Sequence, residues 1–247
     1  MPPAASTTVI EIRNLVKDHQ GLRPLRLQSL LVAAGDIVAI AGLDALTAEV
    51  FVNLVTGASL ADTGEVLLFG QNTRDILDTQ AWLQSLEGLA MVSERAVMIE
   101  SFTPLQNIAM PITLEVDPIA TDVVPRATEL AREMGLDEAL FDLPVGRLTP
   151  ADKMRTHVAR ALALEPRLLI AEHPTATLPR EAVAAFGEGL ARVARDRGLA
   201  LVALTADEAF AKALGGRRLA LNAATGELRT PGMMERFRKV LKGSATF

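Results

Sequence analysis

At 247 residues, 49% of them hydrophobic, the chain is long enough for one substantial domain or for one domain with an inserted lobe. A formal net charge of -5 gives no bulk attraction to nucleic acid, so no nucleic-acid partner is expected. Cysteine is absent, which removes disulfides, thiolate chemistry and cysteine-based metal sites, and the three histidines (His19, His157, His173) lack the HxxxH spacing of a zinc site.

The opening MPPAASTTV has neither the basic start nor the apolar core of a signal peptide. Charges interrupt every apolar stretch that could be considered for a membrane span. TVIEIRNLV (8–16) and LRLQSLLVAAGD (25–36) read as alternating strands, and GEVLLFG (64–70) as another. Together they predict an antiparallel side sheet. Four other runs are continuously apolar: DIVAIAG (36–42), LAMVS (89–93), RLLIAE (167–172) and LALVALT (199–205). Strands of that kind are buried on both faces, which predicts a parallel sheet covered by helices. Residues 95–150 are punctuated by proline and carry no such run, and are expected to form a helical insertion. DKMRTHVARALAL (152–164) sets Met154, Val158 and Leu162 on one stripe of a helix. In 181–197, Val183, Phe186, Leu190 and Val193 share one helical face, and Gly198 ends the helix. The tail MMERFRKVLKG within 230–247 reads as a basic, amphipathic, solvated helix.

GLDALTAEVF (42–51) joins the first buried run to a helix through a glycine turn. Downstream follow TGEVLLFG (63–70), PLQNIAMP (104–111), VARALALEPRLLI (158–170), PTATL (174–178) and LVALTAD (201–207). In that order, these segments resemble the ATP-binding cassette of ABC transporters over roughly residues 8 to 229. The resemblance implies a P-loop NTPase-like (RecA-like) α/β fold. It divides the chain into a core with its antiparallel subdomain at 8–94 and 151–229, a helical subdomain at 95–150, and a tail at 230–247. It also implies ATP and magnesium as ligands, integral membrane transporter subunits as partners, a second cassette (the same chain or another), and a place on the cytoplasmic face of the inner membrane. The bias within the family is toward lipid, lipoprotein or macrolide exporters.

At the chemistry-bearing positions the residues differ from the family's. Its phosphate loop reads GxxxxGK[ST], where backbone N–H groups wrap the phosphates, the lysine neutralises them and the hydroxyl binds magnesium. On that frame Gly42 is the first glycine, Asp44 lies inside the loop, and Thr47, Ala48 and Glu49 stand for the second glycine, the lysine and the magnesium ligand, with Val50 following. The Walker B carboxylate and catalytic glutamate become Glu172, a weak metal-ligand candidate, and His173. The Q-loop glutamine becomes Glu94 and the switch histidine Ala206. The signature LSGGQ becomes Leu148, Thr149, Pro150, Ala151 and Asp152, and the D-loop pair becomes Leu178 and Pro179. The adenine-facing aromatic aligns with His19. The expectation is therefore a cassette that has lost hydrolysis and tight ATP binding, with no cofactor in use. It would act as a structural or regulatory subunit that docks membrane partners through Glu94, Phe102, Leu105 and Ile108. A soluble scaffold and an atypical nucleotide-binding subunit are the alternatives. Thr47 is expected to cap the following helix through the N–H of Glu49 or Val50, with Glu49 placing a negative charge in its first turn.

Overall fold

The computed structural model describes residues 8–93 and 95–230. In chain order its elements are β1 (Thr8–Lys17), β2 (Leu25–Ala33), β3 (Ile37–Ala41), α1 (Ala45–Val55), β4 (Thr63–Leu68), β5 (Gln71–Asn72), α2 (Thr79–Ser85) and β6 (Leu89–Val92). There follow α3 (Pro104–Ala109), α4 (Val124–Glu133), α5 (Pro150–Ala161), β7 (Leu168–Glu172), α6 (Arg180–Asp196), β8 (Ala200–Leu204), α7 (Glu208–Leu214), β9 (Arg217–Asn222) and β10 (Glu227–Arg229).

Two sheets form. One has six strands in the order β10-β9-β3-β8-β7-β6, parallel from β9 to β6, with β10 antiparallel at the edge. The four continuously apolar runs supply its four inner and far-edge strands, β3, β8, β7 and β6. Side chains alternate across a strand, so each run feeds two cores. Val38, Ile40, Ile170 and Val202 face a cluster shared with α1 and the side sheet. Ala39, Leu169, Ala171, Leu201 and Ala203 face a second cluster built with the helices from α3 to α7.

The side sheet is antiparallel, ordered β2-β1-β4-β5. Its register sets Ile12 opposite Leu30 and Val66, while Arg13, on the outer face, pairs with Glu65 at 3.2 Å. Between β6 and β7 the described residues form only helices, apart from one isolated bridge. In α6, Val183, Phe186, Leu190 and Val193 are all buried, and Gly198 follows with φ +62°. Val158 and Leu162 are fully buried at and just beyond the end of α5, with Met154 packed beside them.

β9 and β10 were not expected. β9 opens on exposed Arg217 and Arg218 and is only half-buried thereafter, so no apolar run marks it. β9 pairs β3, and the turn into β10 joins the two sheets, with Gln28 N–H donating to Gly226 O at 2.8 Å. The expected basic tail lies, beyond residue 230, outside the described residues.

Candidate functional site

β3 delivers the chain at Ala41 into Gly42, whose φ is +91°. A Cβ there would stand 2.8 Å from the Leu221 carbonyl oxygen, so this glycine is required both by its left-handed backbone and by its contact with β9. Leu43 then turns into the core at 4% exposure. Asp44 is still extended (φ -72°, ψ 175°) and is the N-cap of α1. Its Oδ1 accepts from the Thr47 N–H at 2.8 Å, and its carbonyl accepts from the Ala48 N–H at 2.8 Å.

This corrects two expectations. Thr47 is already the third residue of α1 and does not cap it. Asp44 does, because it is the last residue with the extended backbone that capping needs. Glu49 is the fifth helical residue, and the first turn holds no acidic side chain. The helix begins at Ala45, so three residues that the family frame assigns to the loop, Ala45, Leu46 and Thr47, are wound into its first turn. Ala48 is fully buried, and Val50 packs partly against the side-sheet cluster.

Hydrogen bonding from Thr47, side chain first and backbone N–H second, holds the Asp44 carboxyl below the usual carboxylate range, with smaller help from His19 and His173. Both histidines therefore stand within electrostatic reach of the α1 start. His19 is half-buried, and its Nδ1 accepts from the Gly21 N–H at 3.1 Å. His173 follows β7 with φ +45°; its N–H donates to Leu204 O at 2.9 Å, and its Nε2 has no hydrogen-bond partner.

Glu172 ends β7 with a side chain only 13% exposed. Its partner is Arg95, a residue the sequence reading passed over. One guanidinium nitrogen of Arg95 lies 2.6 Å from Glu172 Oε2, and the other lies 2.7 Å from Glu49 Oε1. A planar fork suits such two-carboxylate bridging. Arg95 is close to neither partner in sequence, 77 residues from Glu172, so no spacing rule could pair them. These three side chains, with Ala45, Leu46, His173 and Ala176, line a cleft of about 520 Å³.

The remaining expected residues lie elsewhere. Thr149 caps α5: its Oγ1 accepts from the Asp152 N–H at 3.2 Å and donates to Asp152 Oδ2 at 2.7 Å. Asp152 also pairs with Arg155 at 2.8 Å. Pro150 is the first residue of α5, and Leu148 and Ala151 are buried. Ala206 is exposed between Thr205, whose hydroxyl accepts from the Asp207 N–H, and Asp207, which caps α7. Among the residues named as partner contacts, Phe102 and Leu105 are half-buried. Ile108 is fully buried in the helical-side core and cannot touch a partner, because α3 turns that face inward. Glu94 lies outside the described residues. Among the described residues, no group of three or more acidic or histidine side chains could hold a metal ion, and no helix is long and apolar enough to cross a membrane.

No protein-family model matches the chain. The lipoprotein-releasing system ATP-binding protein LolD of Alcanivorax borkumensis is 30% identical over 210 residues, covering 83% of this chain and 91% of that relative. Among solved structures, the ATP-binding cassette MJ0796, a dimer in a post-hydrolysis state bound to ADP and Pi, aligns with a TM-score of 0.69 and 22% identity, covering 89% of this chain and 96% of its own. CbiO1 of Clostridium perfringens, part of the ABC transporter complex cbiONQ, aligns with a TM-score of 0.76 and 17% identity over 96% of this chain and 94% of its own. The six-stranded parallel-cored sheet with its antiparallel companion is thus the ABC cassette fold, and the likeness to LolD along most of both chains settles descent: this chain belongs to the family of ABC transporter ATP-binding proteins.

Proposed function

We propose that the chain is the cassette subunit of a membrane transport complex, akin to the lipoprotein-releasing system named for its relative, and that it no longer hydrolyses ATP. The observation that carries this reading is the self-satisfied start of α1. Asp44 holds the Thr47 N–H, and Arg95 bridges Glu49 and Glu172, so groups that would meet phosphate and metal are engaged within the chain. A triphosphate seated there would face the Asp44 carboxylate at the helix end and no lysine.

Phosphoryl transfer rests on positioning and on fixed charge. Removing one such stabilising donor typically costs about 3 kcal/mol in the transition state. Here the residues standing at the lysine, hydroxyl, glutamate and histidine positions are Ala48, Glu49, His173 and Ala206, none of which supplies the original group. Metal and nucleotide therefore do not fit the residues in place. The self-capped start of α5 extends the argument to the site that a partner cassette would share, since Thr149 and Asp152 satisfy one another. Paired one-to-one with an intact cassette, this chain would impair both shared sites, which favours pairing with a second copy or a complex whose ATP use lies elsewhere. The test is turnover of Mg-ATP by purified protein. The reading expects release of phosphate no faster than buffer; steady turnover that vanishes in a Glu172→Ala/His173→Ala double variant overturns it.

A further inference from the structure

The segment after β6 carries Arg95 to the cleft and is fastened at several points. The Val97 N–H donates to Arg95 O at 3.1 Å, and the Val97 carbonyl accepts from Arg160 Nη1 at 2.9 Å. Two residues further on, fully buried Asn107 holds both polar backbone groups of Ile99, accepting from its N–H and donating to its carbonyl, each at 3.0 Å. The backbone that follows Arg95 is thus held at Val97 and Ile99.

Glu172 needs a cation. Its side chain is 13% exposed, and leaving such a carboxylate ionised without a partner is costly. Arg95 is the cation it has, and the second arm of the fork reaches Glu49 on α1. The charged or titratable groups near this cleft are Asp44, Glu49, Arg95, Glu172 and His173, with His19 in reach of Asp44, so three carboxylates stand against one arginine and two histidines. One or two carboxylates, with several retained waters, are the protein's usual share of a site for a small divalent cation.

We propose that Arg95 is a built-in cation that takes the place of a divalent metal ion between Glu49 and Glu172, closing the cleft to metal and tying the β6–α3 segment to α1 and β7. The carboxylate at Glu172 is kept, Glu49 adds a second where the family has a hydroxyl, and the counter-charge is carried by the chain itself. This rests on the same reading of the site as the proposed loss of hydrolysis. Its test contains no nucleotide, so its failure is distinguishable from ATP turnover.

The experiment is titration of the purified full chain with Mn2+ alone, followed by electron paramagnetic resonance of the free ion. The native protein is expected to leave the free-ion signal unchanged at protein and Mn2+ concentrations where Arg95→Gln removes one Mn2+ per chain, an affinity gain of at least tenfold. Arg95→Gln/Glu172→Gln should return to the native behaviour. Should Arg95→Gln fail to fold, Arg95→Met serves, because it keeps the aliphatic stem and removes the charge; it too should bind Mn2+ more tightly than the native chain. Native protein that binds Mn2+ as tightly as the variants, or folded variants that bind no better than native, overturns the proposal.

Discussion

Asp44→Ala probes the feature on which the reading of the site turns. The native carboxylate accepts one short hydrogen bond, from the Thr47 N–H at 2.8 Å, and lies at the positive end of an 11-residue helix. Losing an N-cap of this kind costs about 1 kcal/mol, which lowers the melting temperature of a chain of this size by roughly 2–4 °C. Asparagine caps about as well as aspartate, so Asp44→Asn should retain most of that stability. The two variants also separate by pH. Because the folded-state pKa of Asp44 is lowered from its ordinary 3.8, its ionised form stabilises the fold above that value, and the contribution disappears as pH falls through the folded-state pKa. The gap between native and Asp44→Ala should therefore be full at pH 7 and shrink below pH 4, as measured by urea unfolding across that range. An Asp44→Ala variant as stable as the native chain at pH 7, or more stable, would show that the carboxylate is not a working cap and would remove the argument for a self-satisfied helix start.

Gly42→Ala should destabilise by about 1–2 kcal/mol from its left-handed backbone alone, and by more because the new Cβ meets the Leu221 carbonyl at 2.8 Å; a neutral result in denaturant titration would contradict the close approach of β9. His157 is pushed down to about 4 by burial, with Arg160 adding to it. The unfolded chain takes up that proton near 6.5 and the folded chain does not, so stability should be full above pH 6.5 and fall by about 3 kcal/mol as pH drops toward 4. His157→Leu should flatten that window, and a ring titrating above pH 6 by NMR would refute the burial argument. Phe210→Ala removes a fully buried ring stacked on Phe186 with centroids 5.8 Å apart, and should cost about 3–5 kcal/mol in chemical unfolding; a loss below 1 kcal/mol would contradict that packing.

The core of the fold was readable because β3, β7 and β8 are buried on both faces, so their sequences are unbroken apolar runs, and because α6 repeats its buried face over 17 residues. Strands at and beside the sheet's edge escape such reading. β9, between β10 and β3, opens on two exposed arginines and is only half-buried in its other four residues, so it carries no continuous apolar run. The cap of α1 was misplaced for a different reason. Asp44 and Thr47 are both competent caps three residues apart, and the choice depends on where the backbone leaves the extended region, which composition does not record. Ile108 was taken for a partner contact because PLQNIAMP resembles the family segment that faces the membrane subunit; the resemblance places the segment but does not say which residues α3 turns inward, and Ile108 is wholly in the core. Arg95 was invisible for the most basic reason: its two carboxylates come from different elements that only the folded sheet brings together.

The central claim is that the loop between β3 and α1 has become a helix start completed by the chain itself. Calorimetric titration of the purified protein with ATP, with and without magnesium, tests it most directly. No saturable heat up to millimolar ATP, and no change on adding magnesium, is the predicted result. Magnesium-dependent binding at micromolar ATP, weakened by substitution at Glu49 or Glu172, would contradict it.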